Sequence, residues 1–213
     1  MLLGPETLRR SERFSILERG GFGLPRTPEI HFFASSLEFR EWLAENHRLP
    51  EGIWLRIFKK DSGSASITYA EALDEALCFG WIDGQKHSHD SLSWLQKFTP
   101  RRARSNWSKI NTQHVERLAR AGRMTPSGQA EVAAAKNDGR WMAAYDSQAN
   151  ATFPDDFLTA LNKDAKARTF FDSLTKANRY AIAYRLQTAR KPETRQRRTE
   201  KILAMLARGE AFY

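Results

Sequence analysis

The chain has 213 residues, 41% of them hydrophobic, with six Trp and a formal net charge of +9. That is enough apolar material for a sizeable core, and it excludes a disordered chain. A single Cys excludes an intramolecular disulfide framework, and no apolar run approaches the roughly 18 residues of a membrane helix.

Residues 1–28 show no sustained period and end in Gly20, Gly21, Gly23, Pro25 and Pro28, which predicts a poorly structured N-terminal extension without a function of its own. Charges stand there where a secretory leader would be apolar, so the expected compartment is cytoplasmic. Ser35 and Glu38 have capping-box spacing, and Phe39, Trp42 and Leu43 continue as an amphipathic helix to Asn46. Ile53–Lys60 alternates as a strand with two largely apolar faces, which places it centrally in a sheet. Thr68 and Glu71 open a second helix through Gly80, with Leu73, Ala76 and Leu77 on its inner stripe. Trp81–His87 and Leu92–Phe98 then read as an antiparallel pair, with Gly84 marking a bend or bulge.

Next comes a basic loop, Thr99 to Ser105, leading into a helix that closes at Gly122. Free amides at a helix start attract anions, and Arg adds a geometry suited to phosphate or carboxylate. The expected anion cradle consists of Arg101, Arg102, Ser105, Trp107, Ser108, Lys109 and Asn111, with Lys86 nearby. The competing reading pairs the loop arginines with acidic residues of segment 29–95. Thr125 and Pro126 start another helix, and residues 141–153 read as a linker. From residue 154 onward the pattern is helical, and Pro192 opens the last helix with Ile202, Leu203 and Leu206 inward. Arg195 and Arg198 continue that apolar stripe, and the simpler expectation is that both reach water.

Charge is unevenly placed. Residues 29–95 hold six basic and eleven acidic groups, residues 96–123 eight and one, and residues 163–213 thirteen and five. Two basic blocks in an acidic body point to an anionic partner: a small anion, an acidic protein or nucleic acid. No recognised nucleic-acid motif accompanies them, so nucleic acid ranks last. Cys78, Asp83 and His87 are the only candidates for chemistry. Cys78 reads first as a small buried hydrophobe, and Asp83 equally as a polar group held inside the fold or as a turn carboxylate. Metal-ligand spacings are absent, and neither a metal nor a cofactor is expected.

Four stretches, ALCFGWIDG (76–84), FTPRRARSNWSKIN (98–111), AGRMTPSG (121–128) and ARKPETRQRRTEKILAMLARGE (189–210), together resemble the YdeI/OmpD-associated family, also labelled bacteriocin-protection proteins. The resemblance runs from about Phe32 to Gly209. It implies an α+β domain related in fold to the YjbR/CyaY group, a C-terminal helical module, and a stress or resistance role against bacteriocins or cationic antimicrobial peptides. It brings no catalytic residues.

The expected architecture is therefore α+β: an antiparallel sheet of three or more strands packed with helices over 29–140, a linker over 141–153, and a helical lobe over 154–213. The leading functional reading is a non-enzymatic protein that binds a small anionic ligand or acidic partner through the basic loop. An enzyme with a pocket near Cys78, Asp83, Lys86 and His87 is the first alternative, and a nucleic-acid-binding protein the second.

Overall fold

The computed structural model describes residues 28–213; the extension expected over residues 1–28 lies, apart from Pro28, outside the described residues. Strand β2 (Ile53–Phe58) alternates strictly: Ile53, Leu55 and Ile57 are buried, while Trp54, Arg56 and Phe58 are half-buried. The buried side packs under α1 (Ser36–Asn46) and α2 (Tyr69–Cys78) through Phe39, Leu43, Ala72, Leu73, Ala76 and Leu77. On the other side Arg56 lies 4.5 Å from the Phe58 ring and Lys97 5.5 Å from that of Trp54, so cations shield aromatics that no longer need a second core.

The sheet has the order β1-β2-β4-β3, with β1 (Ile30–His31), β3 (Trp81–Ser88) and β4 (Ser93–Pro100). The pairs β2–β4 and β4–β3 are antiparallel, but β1 runs parallel to β2. The expectation of a purely antiparallel sheet is thereby corrected: the sheet is mixed. The physical reason is the α1 crossover, which returns the chain beside β1 in the same direction. The expected irregularity near Gly84 is a register shift between Asp83 and Lys86, where the Gln96 amide donates to the Gly84 carbonyl at 2.9 Å.

Gly80, at φ 78°, ends α2 in the left-handed conformation that only Gly adopts without penalty and turns the chain into β3. Helices α3 (Lys109–Arg120) and α4 (Pro126–Asn137) pack against α2. Acidic groups of α2 hold α3 and its neighbours: Asp74 pairs with His114 and Arg117 of α3, and Glu75 with Arg40 of α1 and Arg123 in the turn after α3. Gly128 touches the Cys78 carbonyl so closely that a Cβ would collide with it. Helix propensity alone would make Gly128→Ala favourable by about 1 kcal/mol. The contact reverses the sign: we expect a loss of about 2–3 kcal/mol in chemical denaturation, because backbone must move.

A second apolar cluster joins α5 (Asp155–Leu161), α6 (Ala165–Ser173), α7 (Lys176–Gln187) and α8 (Pro192–Ala207) through Phe157, Leu161, Phe171, Ile182, Leu186, Ile202 and Leu206. The expectation that Arg195 and Arg198 simply reach water holds for Arg195, whose side chain stays 43% exposed, and is corrected for Arg198. Arg195 pairs with Asp156 at 3.0 Å, and Arg198 donates to the Arg185 carbonyl near the end of α7 and to the Thr188 hydroxyl. Among the described residues no helix is long and apolar enough to cross a membrane.

Candidate functional site

Strand β4 ends where the Arg101 amide donates to the Gly80 carbonyl at 3.0 Å. The chain then folds back in a tight turn, with the Ser105 amide donating to the Arg102 carbonyl at 3.0 Å. Arg104 occupies φ 67° in that turn, an uncommon conformation for a residue with a Cβ. Replacing it by Gly removes this cost, so Arg104→Gly is expected to stabilise the fold by about 1 kcal/mol, read as a raised denaturation midpoint with unchanged slope.

The turn separates the two adjacent arginines. Arg102 points outward and is exposed, whereas Arg101 is only 6% exposed. The Arg101 guanidinium lies 3.6 Å from the centre of the buried Trp107 ring, and its Nη2 donates to the Asn106 carbonyl at 2.7 Å. Its Nε and Nη1 have no acceptor, and neither do Trp107 Nε1 and the Ser105 hydroxyl. Buried polar groups are nearly always paired, and leaving one unpaired costs free energy. Four of the five unpaired buried side-chain atoms among the described residues lie in this one segment, 101–107.

No carboxylate oxygen of the described residues stands within 4.0 Å of Arg101; Glu131 and Asp83 act on it only at longer range. Burial, aided by the like charge of Arg140, therefore pulls its pKa down to about 10. Arg140 is equally buried, at 3% exposed, yet it has a carboxylate partner: its Nε donates to Asp138 at 2.7 Å and its Nη1 to the Ser105 carbonyl at 3.0 Å. Arg101 is the exception.

The start of α3 is not the open set of amides that the sequence suggested. The Lys109 amide donates to the Tyr145 carbonyl at 2.8 Å, and the Asn111 and Thr112 amides go to the Ser108 hydroxyl and carbonyl. The Lys109 ammonium is held by Asp146 at 2.7 Å, and Lys86 lies over the Trp94 ring on the hairpin of β3 and β4. Of the expected cradle, then, Arg101, Ser105 and Trp107 come together, Ser108, Lys109 and Asn111 serve the helix start, and Arg102 and Lys86 lie elsewhere. The acidic residues of α2 pair with arginines of α1, α3 and the turn after α3, not with the loop.

The candidates for chemistry are dispersed. Cys78 is fully buried, and burial together with the nearby Glu75 pushes its thiol up. Asp83 accepts a hydrogen bond from the Tyr69 hydroxyl at 2.8 Å, while His87 packs edge-on against Trp54 with ring centres 4.7 Å apart. Across β4, Asp83 pairs with Phe98 and His87 with Leu95, so the two side chains leave opposite faces of the sheet. The described residues hold no group of three His, Cys, Asp or Glu able to ligate a metal ion.

Comparison with known families divides the chain. Residues 31–131 match a family model described as a domain of unknown function (DUF8412). Residues 150–209 match the model described as "Bacteriocin-protection, YdeI or OmpD-Associated". Over that segment the chain is similar to the YdeI/OmpD-associated family. The match takes in α5 to α8, while the first model covers nearly all of the sheet and the Arg101 loop, so only the last of the four quoted stretches falls within the match, all but its final residue. No curated protein and no solved structure matches the chain.

The segment similar to the YdeI/OmpD-associated family is tied directly to the Arg101 loop. Asn106, whose carbonyl Arg101 holds, donates through its side-chain amide to the Tyr184 hydroxyl of α7 at 2.9 Å. Tyr145 packs edge-on against Tyr184 with centroids 4.8 Å apart. Asp146 accepts from Lys109 in front, and from the Thr152 hydroxyl at 2.7 Å and the Gln187 amide at 2.8 Å behind. Sequence reasoning passed over Arg140, Tyr145 and Asp146 because they stand in a stretch without period. The partners that tie them to other elements are distant in sequence, 35 residues away for Ser105 and 41 for Gln187, and no local signal marks them.

Proposed function

We propose that the protein is a non-enzymatic binding protein that takes a small anion or an acidic group at Arg101. In this reading it serves the protective role named by the family to which its C-terminal segment is similar. One observation carries the reading: a desolvated guanidinium and two neighbouring side-chain donors without an acceptor among the protein's atoms, in a fold that gives its other buried arginine a carboxylate. An acceptor carrying negative charge satisfies those donors and offsets the cost of burying the cation.

The enzyme reading has no grouping of Cys78, Asp83 and His87 to support it. The nucleic-acid reading loses much of its basic surface to internal pairs, with Lys109, Arg117, Arg123, Arg190 and Arg195 all bound to carboxylates. The test is thermal unfolding of the full chain in sodium gluconate, with chloride, phosphate, acetate or an oligoglutamate peptide added at constant ionic strength. A saturating ligand at one hundred times its Kd adds about 2.7 kcal/mol of stability. An unfolding temperature indifferent to every anion would end the proposal.

A further inference from the structure

We infer that the outer side of the Arg101 turn is a docking surface for a protein segment that presents acidic side chains around an apolar one. The surface uses Arg102, Arg104, Arg190 and Met142, all exposed. It stands apart from the anion reading, because Arg101 itself is buried and takes no part in it.

Backbone geometry supplies the first observation. Seven of the described residues have a positive φ; six are glycine, and the seventh is Arg104, at 67°. A glycine there would fold at lower cost. Among the described residues the exposed side chains of Arg102 and Arg104 have no carboxylate within 4.0 Å, no hydrogen bond and no aromatic ring beneath them. The turn thus bears a strained backbone to hold out a guanidinium that the fold does not use. Strain of that kind is kept where the side chain serves a contact outside the protein.

The second observation is what stands beside the turn. Arg140 donates to the Ser105 carbonyl at 3.0 Å and to Asp138 at 2.7 Å, and Arg190 reaches the same Asp138 carboxylate at 3.7 Å. These contacts bring the segment before α8 to the turn, so Arg190 joins Arg102 and Arg104 at one junction. The carboxylate between them is already engaged by Arg140. The positive charge left over is complementary to carboxylates, which arginine binds through paired N–H groups.

Met142 decides the kind of partner. Trp141 packs inward on Trp107 with ring centres 5.1 Å apart, whereas Met142, next in the chain, is 88% exposed. Among the described residues no other large hydrophobic side chain is as exposed. Arginine and methionine are both enriched in protein interfaces, and a thioether adapts to many apolar shapes. A phosphate backbone has nothing to set against Met142, and nucleic-acid affinity grows with the number of phosphates neutralised, for which three arginines are a short row. A peptide can place an apolar side chain on the thioether and carboxylates on the arginines.

The experiment titrates three labelled probes of equal charge with the full chain at low salt and reads fluorescence anisotropy. The probes are an oligoglutamate, the same peptide with one leucine inserted at its centre, and an oligothymidylate. The leucine peptide should bind about fivefold tighter than plain oligoglutamate, and oligothymidylate weakest. Arg104→Gly should raise the unfolding midpoint and yet weaken both peptides about tenfold, opposite signs that a merely structural arginine would not produce. Met142→Ser should remove the advantage of leucine and leave plain oligoglutamate unchanged. Oligothymidylate binding as tightly as the leucine peptide overturns the assignment in favour of nucleic acid. Peptide binding unaltered by Arg104→Gly overturns it as well, as does the absence of binding by any probe. Because these variants keep Arg101, the anion response of the unfolding temperature tests the other reading separately.

Discussion

In halide-free solution Arg101→Met is expected to unfold within about 1 kcal/mol of the native chain, and to lose all stabilisation by added anions. The near-neutrality follows from opposing effects of similar size. Burial that pulls the guanidinium down to about 10 corresponds to about 3 kcal/mol of charge desolvation, which methionine relieves. Against this stand the hydrogen bond to Asn106, worth about 1–2 kcal/mol, and the stacking on Trp107, worth about 1–2 kcal/mol. The unbranched thioether keeps part of the ring contact. Arg101→Ala, which leaves a hole beneath Trp107 as well, should lose about 2–4 kcal/mol. The pH dependence has a definite sign. Because the folded state holds the Arg101 proton less tightly than the unfolded chain, stability rises as the pH climbs above about 10, and a bound anion flattens that rise.

Asp146→Asn is expected to lose about 3 kcal/mol, with unfolding no longer a single transition by circular dichroism and tryptophan fluorescence. Burial alone would raise the Asp146 pKa; Lys109, Thr152 and Gln187 together outweigh it and hold the group at about 2. An asparagine there turns an NH2 group toward at least one of these donors, and the Lys109 ammonium loses its counter-charge. The two apolar clusters then keep their own packing but lose the junction between α3 and α7. Since the folded pKa lies below the ordinary 3.8, the contribution is complete above pH about 4 and is lost as pH falls through 2. The native chain and the variant should therefore converge in acid.

Local signals in the sequence were read well where a residue and its partner are close in the chain. The Thr68–Glu71 capping box forms in full, Thr125 caps α4 with Pro126 at its first position, and Pro192 opens α8. The alternation of Ile53–Phe58 and the bulge near Gly84 follow from period and from glycine. Strand β1 escaped because two residues carry no period, and its parallel direction is set by the crossover.

The candidate site was half legible for a related reason. Arg101 and Arg102 are the same residue type side by side, yet one stacks on Trp107 and the other faces solvent. What separates them is the pairing of Trp81 with Pro100 and the hold of the Gly80 carbonyl on the Arg101 amide, both fixed by the sheet. The helix start drew attention because free amides were expected there. The Tyr145 carbonyl, 36 positions away from Lys109, closes it from a segment whose course no periodicity announces.

The central claim is that Arg101 carries its charge into the interior to meet an acceptor from outside the protein. A crystal of the full chain grown in sodium bromide tests it most directly, through an anomalous difference map at the bromine edge. The account predicts one peak within about 3.5 Å of Arg101 Nε or Nη1, near Trp107 Nε1 or the Ser105 hydroxyl. Density there with no anomalous signal, coordinated as water, would contradict it.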